Sequence, residues 1–141
     1  MEEIQFELVD NGLKAEDFVR LKVTTGFTGC SVKQVEEALK NSLFHVAATC
    51  DGRVVGMGRL VGDGAMYWYL QEIIVLPEYQ GKGIGTGIVN RLIEYIRNAA
   101  IPDTVVDVGL TAKGKERFYE KFGFTLRSTG MGKMMEKPEK L

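Results

Sequence analysis

The residues best placed to do chemistry lie in 73–87, Ile-Ile-Val-Leu-Pro-Glu-Tyr-Gln-Gly-Lys-Gly-Ile-Gly-Thr-Gly, where an apolar run meets four glycines at alternate positions. Gly81, Gly83, Gly85 and Gly87 carry no Cβ, so this backbone is free to take positive φ and to bring its N–H groups close to a ligand. The helical pattern that follows would aim its unpaired N–H groups and positive dipole end at the same spot. A strand, a glycine turn and a helix N-terminus in that order make an anion site suited to phosphate.

Spacing separates the phosphate-binding patterns that could apply. A P-loop needs Gly-Lys-Ser/Thr, which does not occur in the chain. A dinucleotide fingerprint needs Gly or Ala at its sixth position, where counting from Gly81 gives Thr86 and counting from Gly83 gives Ile88. The stretch reads instead as Gln80-Gly81-Lys82-Gly83-Ile84-Gly85, a Q-x-x-G-x-G pattern preceded by Val75-Leu76-Pro77. This resembles the acetyl-CoA motif of the GNAT N-acetyltransferase superfamily, a hydrophobic strand with V-x-P followed by Q/R-x-x-G-x-G/A opening a helix. A second stretch, Phe118-Tyr119-Glu120-Lys121-Phe122-Gly123-Phe124, is similar to the superfamily's F-Y-x-x-x-G-F segment. One departure is plain: many members carry an asparagine between the last parallel strand and this helix, where this chain has Thr111-Ala112-Lys113-Gly114.

The resemblance implies acetyl-CoA, or coenzyme A, as co-substrate and no metal. Gln80, Gly81, Lys82, Gly83, Ile84, Gly85 and Thr86 would hold its pyrophosphate. Backbone groups of Ile73, Ile74 and Val75, on a strand that bulges in the family, would hold the pantetheine arm and the thioester carbonyl. Tyr119 would protonate the leaving thiolate, a role that suits a phenol because its ordinary pKa near 10 keeps it protonated at neutral pH. For the amine proton the residues offer Glu72, the one carboxylate in the strand over 66–75, and then Tyr69. In a regular strand Tyr69 and Gln71 face away from Glu72, and a bulge would re-aim part of that strand. Glu72 reads equally as an edge charge that limits aggregation, Tyr119 as a packed aromatic, Lys82 as a solvated lysine, and the lone His45 as a packed or surface imidazole rather than a catalytic one.

The elements that must position these residues follow from pattern. Residues 4–9 alternate as a strand stopped by Asp10-Asn11-Gly12, and a short helix follows over about 14–22. Ser31 and Gln34 form a capping-box pair opening a helix to about Asn41, with Val32, Val35, Ala38 and Leu39 as its buried stripe. Strands over 43–50, 53–61 and 66–75 form a meander through the turns Asp51-Gly52 and Gly62-Asp63-Gly64. Ile84, Ile88, Val89, Leu92, Ile93 and Ile96 mark one face of a helix to about Asn98, which Pro102 prevents from continuing. Residues 104–110 form a strand parallel to that over 66–75, and a helix over about 113–122 ends at Gly123. The tail over 124–127 and 131–136 adds one or two closing strands, with Met131, Met134 and Met135 as core or substrate wall. The expected fold is α/β (α+β): a mixed, mostly antiparallel, twisted sheet of about 6–7 strands with helices on both faces, as one domain over 1–141.

Composition limits the function further. The 141 residues are 45% hydrophobic and 26% charged with a formal net charge of -1, which argues against a nucleic-acid partner held by a broad basic field. No apolar window approaches a membrane span, and Cys30 and Cys50 lack metal spacing and read as reduced thiols of a cytoplasmic protein. The resemblance implies a small-molecule amine or a peptide amine as partner, with the acceptor site built from the first two helices, their joining loop with Phe27, and the tail near Met131; the aromatic run Tyr67-Trp68-Tyr69 reads either as a further wall of it or as strand packing. A homodimer fits the fold. The competing readings are a non-catalytic acyl-CoA-binding sensor on the same fold and a nucleotide-binding protein using the same loop.

Overall fold

In a computed structural model the chain is described over residues 4–26, 29–133 and 135. Its alternating runs become β1 (Glu7–Asp10), β2 (Phe44–Cys50), β3 (Arg53–Gly62) and β4 (Tyr67–Val75), each antiparallel to the next. β5 (Asp107–Leu110) closes the order β1-β2-β3-β4-β5 and runs parallel to β4. The β2–β3 turn places Asp51 and Gly52 at φ 50° and 77°, the primed geometry that matches strand twist. The β3–β4 turn is held by one carboxylate: Asp63 Oδ1 accepts the backbone N–H groups of Ala65, Met66 and Tyr67 at 2.8, 2.8 and 3.0 Å.

Alternation sends successive residues of β3 to opposite faces, and each face is covered by a helix. On one face α3 (Ile84–Ala99) buries Ile84, Ile88, Val89, Leu92 and Ile96, each such side chain contributing about 1.5–3 kcal/mol. Gly56 and Gly58 of β3 allow this approach: a Cβ on Gly58 would stand 2.6 Å from Ile88 Cγ2 and 3.1 Å from Leu92 Cδ1. On the other face lies α1 (Ala15–Thr24), where the Arg59 guanidinium of β3 stands 5.9 Å from the centre of the Phe18 ring. α2 (Val32–Lys40) packs on α1, and Ser31 Oγ accepts the Gln34 N–H at 3.1 Å. Its buried stripe is narrower than expected: Val35 is buried, Ala38 and Leu39 are half-buried, and Val32 is exposed in the first turn.

The chain forms two compact units, Met1–Thr111 with the whole sheet, and Ala112–Leu141. The second contains α4 (Glu116–Glu120), shorter than the expected helix, with Gly123 at φ 91° after it. The sheet has five strands rather than six or seven, because no strand forms after Leu110 among the described residues. The apolar residues of that segment alternate poorly and are broken by Gly130 and Gly132. Leu126 and Met131 are 81% and 99% exposed, and Met135 is exposed as well, so these methionines are not core. Met134 and Glu136 of the expected tail, and Phe27 of the expected acceptor loop, lie outside the described residues. No helix of the described residues is long and apolar enough to cross a membrane.

His45 is a structural residue of β2. Its Nδ1 accepts the Leu13 N–H at 3.2 Å, and its own N–H donates to Asn11 Oδ1 at 3.1 Å. Burial first, and then the charge of Arg59, lower its pKa from the ordinary 6.5. A protonated ring would also set an N–H against the Leu13 N–H. The unfolded chain therefore binds a proton here before the folded chain does, so this contribution is fully present above pH 6.5 and declines as pH falls towards the folded pKa. Urea unfolding of the wild type should show stability falling from pH 7 to 5, with a flatter profile for His45→Gln; equal slopes would remove His45 as the source.

Candidate active site

The glycine turn is built by two glycines rather than four. Gly81 and Gly83 have φ 76° and 86°, and a Cβ on either would meet nothing within 4 Å, so backbone conformation alone requires glycine there. Gly83 is the N-cap of α3 and offers no side-chain cap, so the first N–H groups of the helix point outward without an intrahelical acceptor. Gly85 and Gly87 lie inside α3. A Cβ on Gly87 would stand 3.3 Å from the Phe6 ring, so that glycine serves helix-to-chain packing. Pro77–Tyr79 form a 3-10 turn between β4 and the loop. Gln80 then donates from Nε2 to the Val75 carbonyl at 2.9 Å, tying the loop to the end of β4. Lys82 and Thr86 are exposed on this turn and Ile84 is buried beneath it.

β4 leaves its parallel neighbour halfway along. The pairing with β5 ends at Leu70↔Leu110, while β4 continues to Val75 against β3 alone. Among the described residues, 71–75, including Ile73, Ile74 and Val75, therefore have a strand partner on one side only. A bulge marks the same place: Arg59 pairs with Gln71 and Met57 with Ile74, so Gly58 alone faces both Glu72 and Ile73. The bulge reverses the alternation. Glu72 turns to the α1 face with Tyr69 and Gln71, and Ile73 turns to the α3 face, its Cδ1 2.8 Å from where a Gly58 Cβ would stand.

Glu72 has φ 51°, left-handed backbone inside a strand, which costs an L-residue roughly 1–2 kcal/mol. Its side chain is 12% exposed and both oxygens are engaged: Oε1 accepts from Arg59 Nε at 2.8 Å and Oε2 from Lys22 Nζ at 3.3 Å. A solvent-exposed pair contributes only about 0.2–1 kcal/mol, whereas a charge-assisted bond in a part-buried site reaches about 1.5–3 kcal/mol. The clamp is thus of the size needed to offset the strain. Arg59 also donates from Nη1 to Ser42 Oγ at 3.2 Å. Tyr69 places its phenol oxygen 2.6 Å from Thr111 Oγ1, so a threonine just past the end of β5 orients a tyrosine of β4. Of the aromatic run, Trp68 is core, Tyr67 is exposed and Tyr69 is half-buried.

In the second unit Tyr119 is buried on α4, edge-on to Phe118 at 5.0 Å and to Phe124 at 6.1 Å between ring centres. Burial pushes its phenol above the ordinary value of 10.0, so it stays protonated well past neutral pH. The structure brings Tyr69, Glu72, Ile73, Ile74, Val75 and the glycine turn onto one strand and its continuation. Sequence reading missed Arg59, Lys22 and Thr111. They signal nothing alone, since their partners lie 13, 50 and 42 residues away.

Residues 16–124 match the model of the acetyltransferase (GNAT) family. The chain is 25% identical over 119 residues to an uncharacterised N-acetyltransferase of Pyropia yezoensis, covering 82% of this chain and 67% of that one. A Staphylococcus aureus protein of unknown function, described as a probable acetyltransferase, superposes with a TM-score of 0.82 at 30% identity, over 95% of this chain and 100% of that one. A predicted acetyltransferase of Clostridium acetobutylicum with acetyl-CoA shares the fold at 16% identity and a TM-score of 0.69, over 92% and 96% of the two chains.

The two kinds of glycine separate by experiment. If this turn holds the phosphates of acetyl-CoA, Gly83→Ala should weaken its binding by about tenfold in calorimetry, because a left-handed alanine shifts the N–H groups of the turn. Gly87→Ala should lower Tm with affinity close to wild type. Wild-type affinity in Gly83→Ala would remove the turn from the site.

Proposed function

Because the chain belongs to the GNAT family of acetyltransferases, and is thus an acyltransferase, we propose that it moves the acetyl group of acetyl-CoA to a primary amine by direct attack in a ternary complex. The observation that carries this reading is the run of β4, open on one edge after Leu70, straight into an uncapped glycine turn. Acetyl-CoA supplies an acyl thioester whose carbonyl carbon a neutral amine can attack. Gly81, Gly83 and the first turn of α3 offer N–H groups to its pyrophosphate, with Lys82 at hand for charge. Ile73, Ile74 and Val75 pair with the pantetheine amides as a further strand would. Their N–H groups also meet the charge that develops on the thioester oxygen, and donors fixed in advance in this way are worth about 3 kcal/mol.

Tyr119 gives its phenolic proton to the departing sulfur. Its pKa, raised by burial, favours that reading because the acid form persists at working pH. The amine proton leaves along the α1 face of β4, which Tyr69 and Glu72 line. The acceptor is a small amine or a peptide amine. A sensor that binds acetyl-CoA without transfer is the reading this one displaces.

Wild-type protein should bind acetyl-CoA in calorimetry and release free thiol in the presence of amines. Tyr119→Phe should lower kcat by about 10²–10³-fold with acetyl-CoA affinity little changed. Because burial raises the phenol's pKa, the alkaline fall in kcat should begin above pH 10.0 and be absent in Tyr119→Phe. Binding without thiol release from any amine would restore the sensor, and no binding would sink the assignment.

A further inference from the structure

The geometry points to Glu72 as a positioning residue: Arg59 and Lys22 grip its carboxylate so that the β4 bulge stays in the left-handed conformation that aims the Ile73–Val75 backbone. This assignment rests on the acetyl-CoA reading of that strand. Among the described residues four non-glycines have positive φ, and three of them, Asn11, Asp51 and Asp103, are Asn or Asp. Their short polar side chains tolerate this region. Glu72 is the fourth, lies inside a strand, and has no such local reason.

What holds it is tertiary. Arg59 comes from the strand that carries the other side of the bulge, one residue beyond Gly58, and Lys22 from the last turn of α1. Gly58 closes the arrangement from below, where a side chain would displace Ile73 and Ile88. The clamp therefore joins three elements at the one residue pair whose conformation sets which N–H groups leave the sheet. A carboxylate committed through both oxygens to two cations is occupied as an acceptor. The same carboxylate acting as general base would have to take a proton in every turnover and so loosen the grip.

Glycine distinguishes the two roles, since it accepts φ 51° without a clamp and offers no carboxylate. Five proteins are compared, wild type, Glu72→Ala, Glu72→Gly, Arg59→Gln and the double variant Glu72→Gly with Arg59→Gln, by calorimetric acetyl-CoA affinity, kcat against pH and urea midpoint. The clamp predicts that Glu72→Ala loses about tenfold or more in acetyl-CoA affinity and in kcat, because alanine keeps the strain without the grip. Glu72→Gly should recover most of both, with the pH profile of the wild type. Arg59→Gln should weaken binding in the wild-type background and add little in Glu72→Gly, the non-additivity expected of groups acting through one another. Glu72→Gly as inactive as Glu72→Ala, with the acidic limb of the profile lost, would overturn the assignment in favour of a base. Equal affinity in all five proteins would overturn it as well. Wild-type binding without turnover would contradict the transfer reading alone, and affinity and urea midpoint would still decide the clamp.

Discussion

A backbone N–H or C=O withdrawn from water needs a partner, and among the described residues no strand pairs with β4 along one edge from Gln71 to Val75. That vacancy is the constraint on which the rest of the fold depends. A sheet would ordinarily close it by extending β5. Here β5 stops at Leu110, and the bulge at Glu72 and Ile73 bends β4 at the same level. The exposed groups then suit an extended ligand rich in amides, for which a pantetheine arm is a fitting chemistry.

The packing explains how such an edge survives. β4 is anchored by its other side, with Leu70 and Trp68 buried and Leu76 donating its N–H to the Val55 carbonyl at 2.9 Å. α3 is drawn onto the sheet by the bare backbone of Gly56 and Gly58, which fixes its N-terminus at the end of the same strand. Gln80 tightens that junction. One helix thus has two parts: its apolar stripe stabilises the fold, and its uncapped first turn is the proposed anion site. A change that loosens the stripe would also move that turn.

Much of this was legible in the sequence. The glycine turn, the hairpin at Asp51-Gly52, the stripe of α3 and the Ser31 cap depend on neighbours within one or two turns, and those signals are local. What depended on distant partners was not legible. Glu72 shares a face with Tyr69 and Gln71 because of a bulge that period-2 reading cannot foresee. Its two cations come from β3 and α1. That no closing strand forms among the described residues has the same cause: a strand pattern becomes a strand only when a partner edge accepts it, and residues 124–133 carry two glycines and exposed apolar side chains. His45 was readable as non-catalytic, but its burial and its tie to Leu13 were not.

The central claim is that the open edge of β4 and the glycine turn hold one ligand together. Amide hydrogen exchange of the wild type with and without saturating acetyl-CoA tests it directly. The account predicts slowed exchange at both Ile73–Val75 and Gly81–Thr86, appearing together at the same ligand concentration. Protection of the turn with no change at Ile73–Val75 would contradict it, because the phosphates would then be bound without the arm lying along the strand.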